Sequence, residues 1–135
     1  MSPEDTLAVH DLVHRYAAYV DDRDLDRAAA LFTLDGVLVP ARREPVAGRP
    51  AVRKALGALE RVRRTAHEIG GIVLDRTGPH AVTGRVTAVA HHVDEGTDHV
   101  WHLVYRDEYR RIAGHWFFAR RELDLRFAEE RQVGR

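Results

Sequence analysis

The chain of 135 residues has no cysteine, which excludes disulfides, thiolate catalysis and zinc sites built on Cys. It has no surplus of charge of either sign: 21 Lys+Arg stand against 21 Asp+Glu. A binder of nucleic acid or of anionic membranes needs a basic excess, so neither partner is expected. No window approaches the roughly 18 consecutive apolar residues of a membrane span. The opening Met1-Ser2-Pro3-Glu4-Asp5 lacks the basic and apolar regions of a signal peptide. The expectation is a soluble, cytoplasmic protein whose partner is a small molecule. Internal repeats and low-complexity stretches are also missing. What is present is a globular composition, 44% hydrophobic and 31% charged, at a length that suits one domain spanning residues 1–135.

Ser2-Pro3-Glu4-Asp5 reads as a helix start, with Ser2 at the cap and Pro3 at the first helical position. Val9, Leu12, Val13, Tyr16 and Val20 then recur in steps of three and four, which predicts one amphipathic helix to about residue 20. Asp24 is placed to cap a second helix, with Ala28, Ala29, Leu31 and Phe32 facing inward. An Asp35-Gly36 turn should lead into a short strand at residues 37–39, and a Pro/Gly-rich loop into a third helix over 50–63. After Arg64 the period changes to alternation. Strands are predicted over 66–76, 80–93, 98–112 and 115–125, with turns at Gly78-Pro79, Glu95-Gly96 and Ala113-Gly114. Helices first and a meander second give an α+β class, with the helices on one face of a curved, mostly antiparallel sheet. The polar residues 126–135 read as a loose tail or an oligomer contact.

Side chains alternate across a strand, so each strand divides into two rows. The apolar rows hold His67 with Ile69, Gly71 and Val73; Ala88 and Ala90 with His92; Trp101 with Leu103 and Tyr105; and Phe117, Ala119 and Leu123 with Arg121. His67, His92 and Arg121 thus fall where hydrocarbon is expected. Burying a charge costs several kcal/mol unless it is paired. A carboxylate is therefore required nearby, and Asp21, at the end of the first helix, is the candidate. Acids are disfavoured at a helix C-terminus, which argues for a specific role. Each residue also has a structural reading: a core histidine satisfied by hydrogen bonds, a helix-ending acid, an ion-paired arginine. Three inward ionisable groups and one acid together favour a polar pocket.

These residues resemble a known family. Tyr19-Val20-Asp21-Asp22-Arg23-Asp24-Leu25-Asp26 is similar to the end-of-first-helix signature of the scytalone dehydratase and SnoaL-like branch of the NTF2-like superfamily. Arg64-Thr65-Ala66-His67-Glu68-Ile69-Gly70-Gly71 resembles its Thr-x-His strand start, and Ile112-Ala113-Gly114-His115-Trp116 its final hairpin. The interval from His67 to His92 also matches scytalone dehydratase. The resemblance covers roughly residues 5–125. It implies an NTF2-like cone-shaped barrel, a curved sheet packed against three N-terminal helices around one pocket, commonly assembled as a homodimer or homotrimer.

The resemblance further implies that Asp21 and His67 match an Asp–His dyad and His92 a second histidine. Tyr16 matches a tyrosine of bile acid dehydratases, and Arg121 a pocket arginine of the hexachlorocyclohexane dehydrochlorinase. Departures are visible. Val20 stands where scytalone dehydratase has a tyrosine, residues 37–39 lack its second tyrosine, and Leu103 and Tyr105 replace its Ser and Asn.

The expected chemistry needs no metal or cofactor. Asp21 would orient His67, whose free nitrogen removes a proton next to a carbonyl, while His92, Tyr16 or Arg121 stabilises oxygen or protonates a leaving group. Ala88, Ala90, Leu103, Tyr105, Phe117 and Leu123 would form an apolar wall for a polyketide-like or aromatic substrate. Elimination of water is the leading expectation, with a SnoaL-type cyclase or isomerase as the alternative. Two rivals are a metal enzyme, invited by His10-x-x-x-His14, and a non-catalytic binding module.

Overall fold

The computed structural model describes residues 1–134. Helix α1 spans Pro3–Asp21, α2 Leu25–Ala30 and α3 Arg49–Leu56, the last running into a 3-10 turn over Gly57–Arg61. Ser2 caps α1 in a capping box. Its hydroxyl accepts from the Asp5 N–H at 3.0 Å, and the Asp5 carboxylate takes the Ser2 N–H in return. Asp24 precedes α2 but makes no side-chain cap; it pairs with Arg27 at 3.5 Å.

Six strands form one curved, open sheet: β1 Phe32–Val39, β2 Val46–Ala47, β3 Arg64–Gly78, β4 Ala81–Asp94, β5 Thr97–Ile112 and β6 His115–Gln132. Their order is β2-β1-β6-β5-β4-β3, with β1 parallel to β6 and every other neighbour antiparallel. The two-residue turns between β4 and β5 and between β5 and β6 put Glu95, Gly96, Ala113 and Gly114 at positive φ, as tight hairpins require. Helix α1 packs against β3 and β6. Its Val9, Leu12, Val13, Tyr16 and Val20 join Phe32, Val82, Val86, Tyr109 and Phe118 in one core.

Four local expectations are corrected. The second helix stops at Ala30, so Phe32 opens β1 instead of closing α2. Asp35-Gly36 is a bulge inside that strand, between the pairs Phe32↔Phe118 and Val37↔Arg120. The third helix ends at Leu56, and its last residues tighten into the 3-10 turn. Residues 126–132 are no tail: they extend β6, pairing as far as Thr97↔Gln132, and Glu129 accepts from His102 at 2.8 Å.

Bulges also reset the alternation on which the rows rested. Tyr109 pairs with Phe118 and Glu108 with Arg120, which leaves Ala119 as the extra residue. Phe118 therefore occupies the core, fully buried, and Phe117 turns to the opposite face beside Arg110. In β3 a bulge between Ile69 and Ile72 sends Ile72 inward, and leaves Val73 57% exposed.

Glycine 84 lies where β4 passes under Tyr109. A Cβ there would sit 2.6 Å from the Tyr109 ring and 2.8 Å from its hydroxyl. Gly84→Ala is therefore expected to cost about 1–3 kcal/mol by overpacking, read as a lower midpoint in urea at unchanged slope.

Candidate active site

Asp21 is the last residue of α1, and the chain turns sharply after it. Arg23 takes a left-handed conformation (φ 60°), and its guanidinium reaches back to the Val20 carbonyl at 2.9 Å. The Val20 carbonyl, which also accepts from the Arg23 backbone N–H at 3.1 Å, thereby gains a cation at the helix end, which offsets the unfavourable placing of an acid there. The same guanidinium donates to the Thr65 hydroxyl at 2.8 Å, and Thr65 donates to Asp21 Oδ1 at 2.9 Å.

His67, two residues further along β3, completes the arrangement. Its ring Nδ1 lies 2.6 Å from Asp21 Oδ1 and its backbone N–H donates to Oδ2 at 2.8 Å. Because Asp21 offers only acceptor atoms when ionised, Nδ1 carries a hydrogen, and in the neutral form of the ring Nε2 has the lone pair. Burial pushes the Asp21 carboxyl up, but the His67 ring, the His67 N–H and Thr65 together hold it below its ordinary value. Asp21 therefore stays ionised across the neutral range. The stability it adds is full above its ordinary pKa of 3.8 and lost only as pH falls through its lower folded value.

The His67 ring faces a cavity of about 450 Å³ between the sheet and the helices. Its inner wall is formed by Tyr16, Val20, Ala90, Leu103, Tyr105 and Leu123; Leu56, Leu59 and Val62 cover it from the α3 side. The loop residues Pro40, Ala41 and Arg43 rim it, with His99 from β5. His92 also lines it, its ring packed on Trp101 at 4.7 Å and edge-on to His67 at 6.3 Å between centroids. Burial, and secondarily the neighbouring His67, push His92 below its ordinary value of 6.5, so its ring is neutral at pH 7.

Of the residues proposed from sequence, Tyr16, Asp21, His67 and His92 come together, as do the wall residues Ala90, Leu103, Tyr105 and Leu123. Ala88 points inward but is packed in the core beside the cavity. Phe117 lies on the other face. Arg121 is entirely buried behind the cavity wall and does not line it.

The carboxylate that pairs with Arg121 is Asp107, not Asp21. Nε meets Oδ1 at 3.0 Å and a terminal nitrogen meets Oδ2 at 3.3 Å, with Tyr109 donating to the same carboxylate at 2.6 Å. The guanidinium also stacks 3.5 Å from the Tyr105 ring centre and 4.5 Å from those of Tyr16 and Phe118. Burial works against the Arg121 charge, but Asp107 and the aromatic faces hold it. Arg121 Nη1 is the sole fully buried side-chain polar atom without a partner among the described residues. Tyr16 and Tyr105 line the cavity, and no described residue bonds their hydroxyls.

Missed from the sequence were His99, Arg43 and the lid formed by Leu59 and Val62. His99 carried a signal, because it shares a row with Trp101 two residues later. The lid carried none, since helix contacts with a sheet are not written in either element's period.

A family model matches the chain: the SnoaL-like domain, over residues 2–122. The chain belongs to the SnoaL-like domain family. Several solved structures are similar to this SnoaL-like chain. A candidate scytalone dehydratase of Novosphingobium aromaticivorans is 26% identical, with a TM-score of 0.87 over 96% of this chain and 89% of its own. A Mycobacterium tuberculosis protein of unknown function is also 26% identical, with a TM-score of 0.82 over 93% of this chain and 76% of its own. A hexachlorocyclohexane dehydrochlorinase of Novosphingobium barchaimii is 18% identical, with a TM-score of 0.86 over 95% of this chain and 90% of its own, and shows the fold alone. Comparison with curated proteins by sequence gives no match. The relatives named as enzymes convert small molecules. No helix of the described residues is long and apolar enough to cross a membrane.

The SnoaL-like sheet carries a second histidine cluster on its outer face. His91 bridges Asp98, at 2.6 Å from Nδ1, and Glu68, which meets Nε2. Glu68 raises the His91 pKa; burial opposes it and Asp98 adds to it. The stability from this bridge is full below the ordinary value of 6.5 and is lost as pH rises through the higher folded value. Thermal scans across that window should show a falling Tm, and Glu68→Gln should flatten the fall. Among the described residues no group of three or more His, Cys, Asp or Glu is arranged to hold a metal.

Proposed function

We propose that the chain is a cofactor-independent lyase whose Asp21–His67 dyad takes a proton from carbon next to a carbonyl of a small, largely apolar ring compound. The observation that supports this most is the 2.6 Å contact from Asp21 to His67 Nδ1, which leaves Nε2 as the free nitrogen of a ring that lines a largely apolar cavity. Neutral imidazole is a base matched to neutral pH, and its carboxylate partner stabilises the imidazolium as it forms. The enolate oxygen would be met by the phenol of Tyr16 or Tyr105, which line the cavity. Arg121 would act through them, its charge lying against both rings. Expulsion of a β-hydroxyl, protonated from the same site, completes a dehydration.

Isomerisation or cyclisation is the second reading. Val20 and Leu38 line the cavity with hydrocarbon, where a departing hydroxyl needs a donor. Both readings start with the same proton abstraction. The test incubates the protein in D2O with a panel of aromatic β-hydroxyketones and follows the carbon-bound hydrogen and the product mass. Exchange with loss of one water supports the lyase; exchange at unchanged mass supports the isomerase or cyclase. Binding without any exchange across the panel sinks both.

A further inference from the structure

His92 is fixed in one tautomer by a backbone atom. It lies on β4 directly opposite His99 on β5, and its Nδ1 sits 3.0 Å from the His99 carbonyl oxygen. A carbonyl oxygen only accepts, so Nδ1 must carry the hydrogen. The ring is held in this orientation. Its backbone N–H is tied to the buried Asp98 carboxylate at 3.1 Å, and its face packs on Trp101. Flipping the ring would set a carbon against the His99 carbonyl and lose the bond. With the ring neutral, Nε2 has a lone pair, and no described residue bonds it.

The cavity therefore presents two histidines of the same polarity. His67 and His92 both spend their Nδ1 hydrogen on the protein, on Asp21 and on His99 respectively, and both offer a bare Nε2 to the ligand. The donors lie elsewhere, on Tyr16 and Tyr105. A group that accepts cannot stabilise an enolate oxygen, so His92 has a different task from the tyrosines.

We infer that His92 selects the substrate: its Nε2 accepts a hydrogen bond from a free hydroxyl, phenolic or enolic, carried on the ring whose carbonyl faces the tyrosines. A ligand lacking that hydrogen, such as the corresponding methyl ether, leaves the Nε2 lone pair desolvated and unpaired and is rejected. This inference takes the proposed function as its frame, since it places the hydroxyl relative to the carbon that His67 deprotonates. The tautomer itself is independent of any turnover.

Two measurements test it. The first is long-range 15N–1H correlation of the histidine rings in the ligand-free protein at neutral pH, with His92→Gln to assign the signal. The expected pattern is hydrogen on Nδ1 and none on Nε2; hydrogen on Nε2 alone, or on both nitrogens, overturns the inference. The second is titration with 2-naphthol and 2-methoxynaphthalene. The wild type should bind the naphthol about tenfold more tightly, as one hydrogen bond allows, and the His92 Nε2 signal should move with the naphthol only.

In His92→Asn the amide can keep the His99 contact but nothing reaches the Nε2 position, and the preference should fall to within about twofold. In His67→Asn it should persist. Equal affinities in the wild type, no binding of either compound, or a preference lost in His67→Asn but kept in His92→Asn each overturn the assignment. Failure of the dyad reading would look different: no deuterium exchange, with the His92 tautomer and the naphthol preference intact.

Discussion

Replacing His67 with alanine is expected to lower kcat by roughly 10²- to 10⁴-fold, the usual contribution of a positioned general base. The loss should fall on kcat and kcat/KM alike, because the proton is taken only in the transition state. Asp21→Asn should cost a comparable factor for a distinct reason. An amide in place of the carboxylate can donate to Nδ1, which moves the ring hydrogen to Nε2 and points it at the substrate. His67 would then be present, correctly placed and in the wrong tautomer. His67 is only 7% exposed at the side chain and bonds Asp21, so each variant is expected to melt somewhat below the wild type and turnover is compared at a temperature where all are folded. Turnover within a few-fold of wild type in either variant, on a substrate that exchanges its α-hydrogen, would remove the dyad from the mechanism.

The largest effect on stability is expected from Asp107→Ala. Asp107 and Arg121 are both fully buried at the side chain, and the pair is held by two hydrogen bonds with a third from Tyr109. Removing the acid leaves a guanidinium in the core with only aromatic faces around it. Loss of one partner of such a pair typically costs about 3–5 kcal/mol, a large share of an ordinary domain's stability. Arg121→Met in the same chain should recover much of that loss, because a buried pair replaced by hydrocarbon of similar volume is often neutral. Urea melts of the two singles and the double give the coupling directly. If Asp107→Ala alone unfolds like the wild type, the pair does not carry the expected share of the stability.

Position decides why these two acids behave so differently. Asp21 is partly exposed; burial pushes its carboxyl up, but the His67 ring and N–H and the Thr65 hydroxyl together hold it below its ordinary value. Asp107 lies deep in the sheet, where burial pushes its carboxyl up and the guanidinium and phenol pull it back. The first serves the cavity and the second the core. In the sequence each is the first of two adjacent acids, two residues after a tyrosine.

Much of the site was legible because its residues obey simple periods. Asp21 ends a helix whose apolar stripe is plain, and His67 and His92 fall on inward rows where β3 and β4 pair in unbroken register, ahead of the bulge that follows Ile69. The family signature, carried by residues 19–26 and 64–71, agreed with those rows. Arg121 was legible as buried but not as to its partner. Its acid, Asp107, lies directly opposite on the neighbouring strand, and no period within either strand pairs the two. Phe117 was misplaced for a different reason. One extra residue at Ala119 reverses the faces of everything before it, and a strand's composition holds no mark of a bulge of that kind.

The order of helices and strands, the hairpin turns and the identity of an inward acid and two inward histidines were therefore determined by local sequence. They depend on interactions between residues close in the chain, where periodicity, capping and turn chemistry act. Which nitrogen of each histidine faces the ligand, which acid neutralises Arg121 and which residues roof the cavity were decided only by the tertiary structure. Each depends on a contact between strands or between helix and sheet, whose register bulges reset and which no period in a single element records.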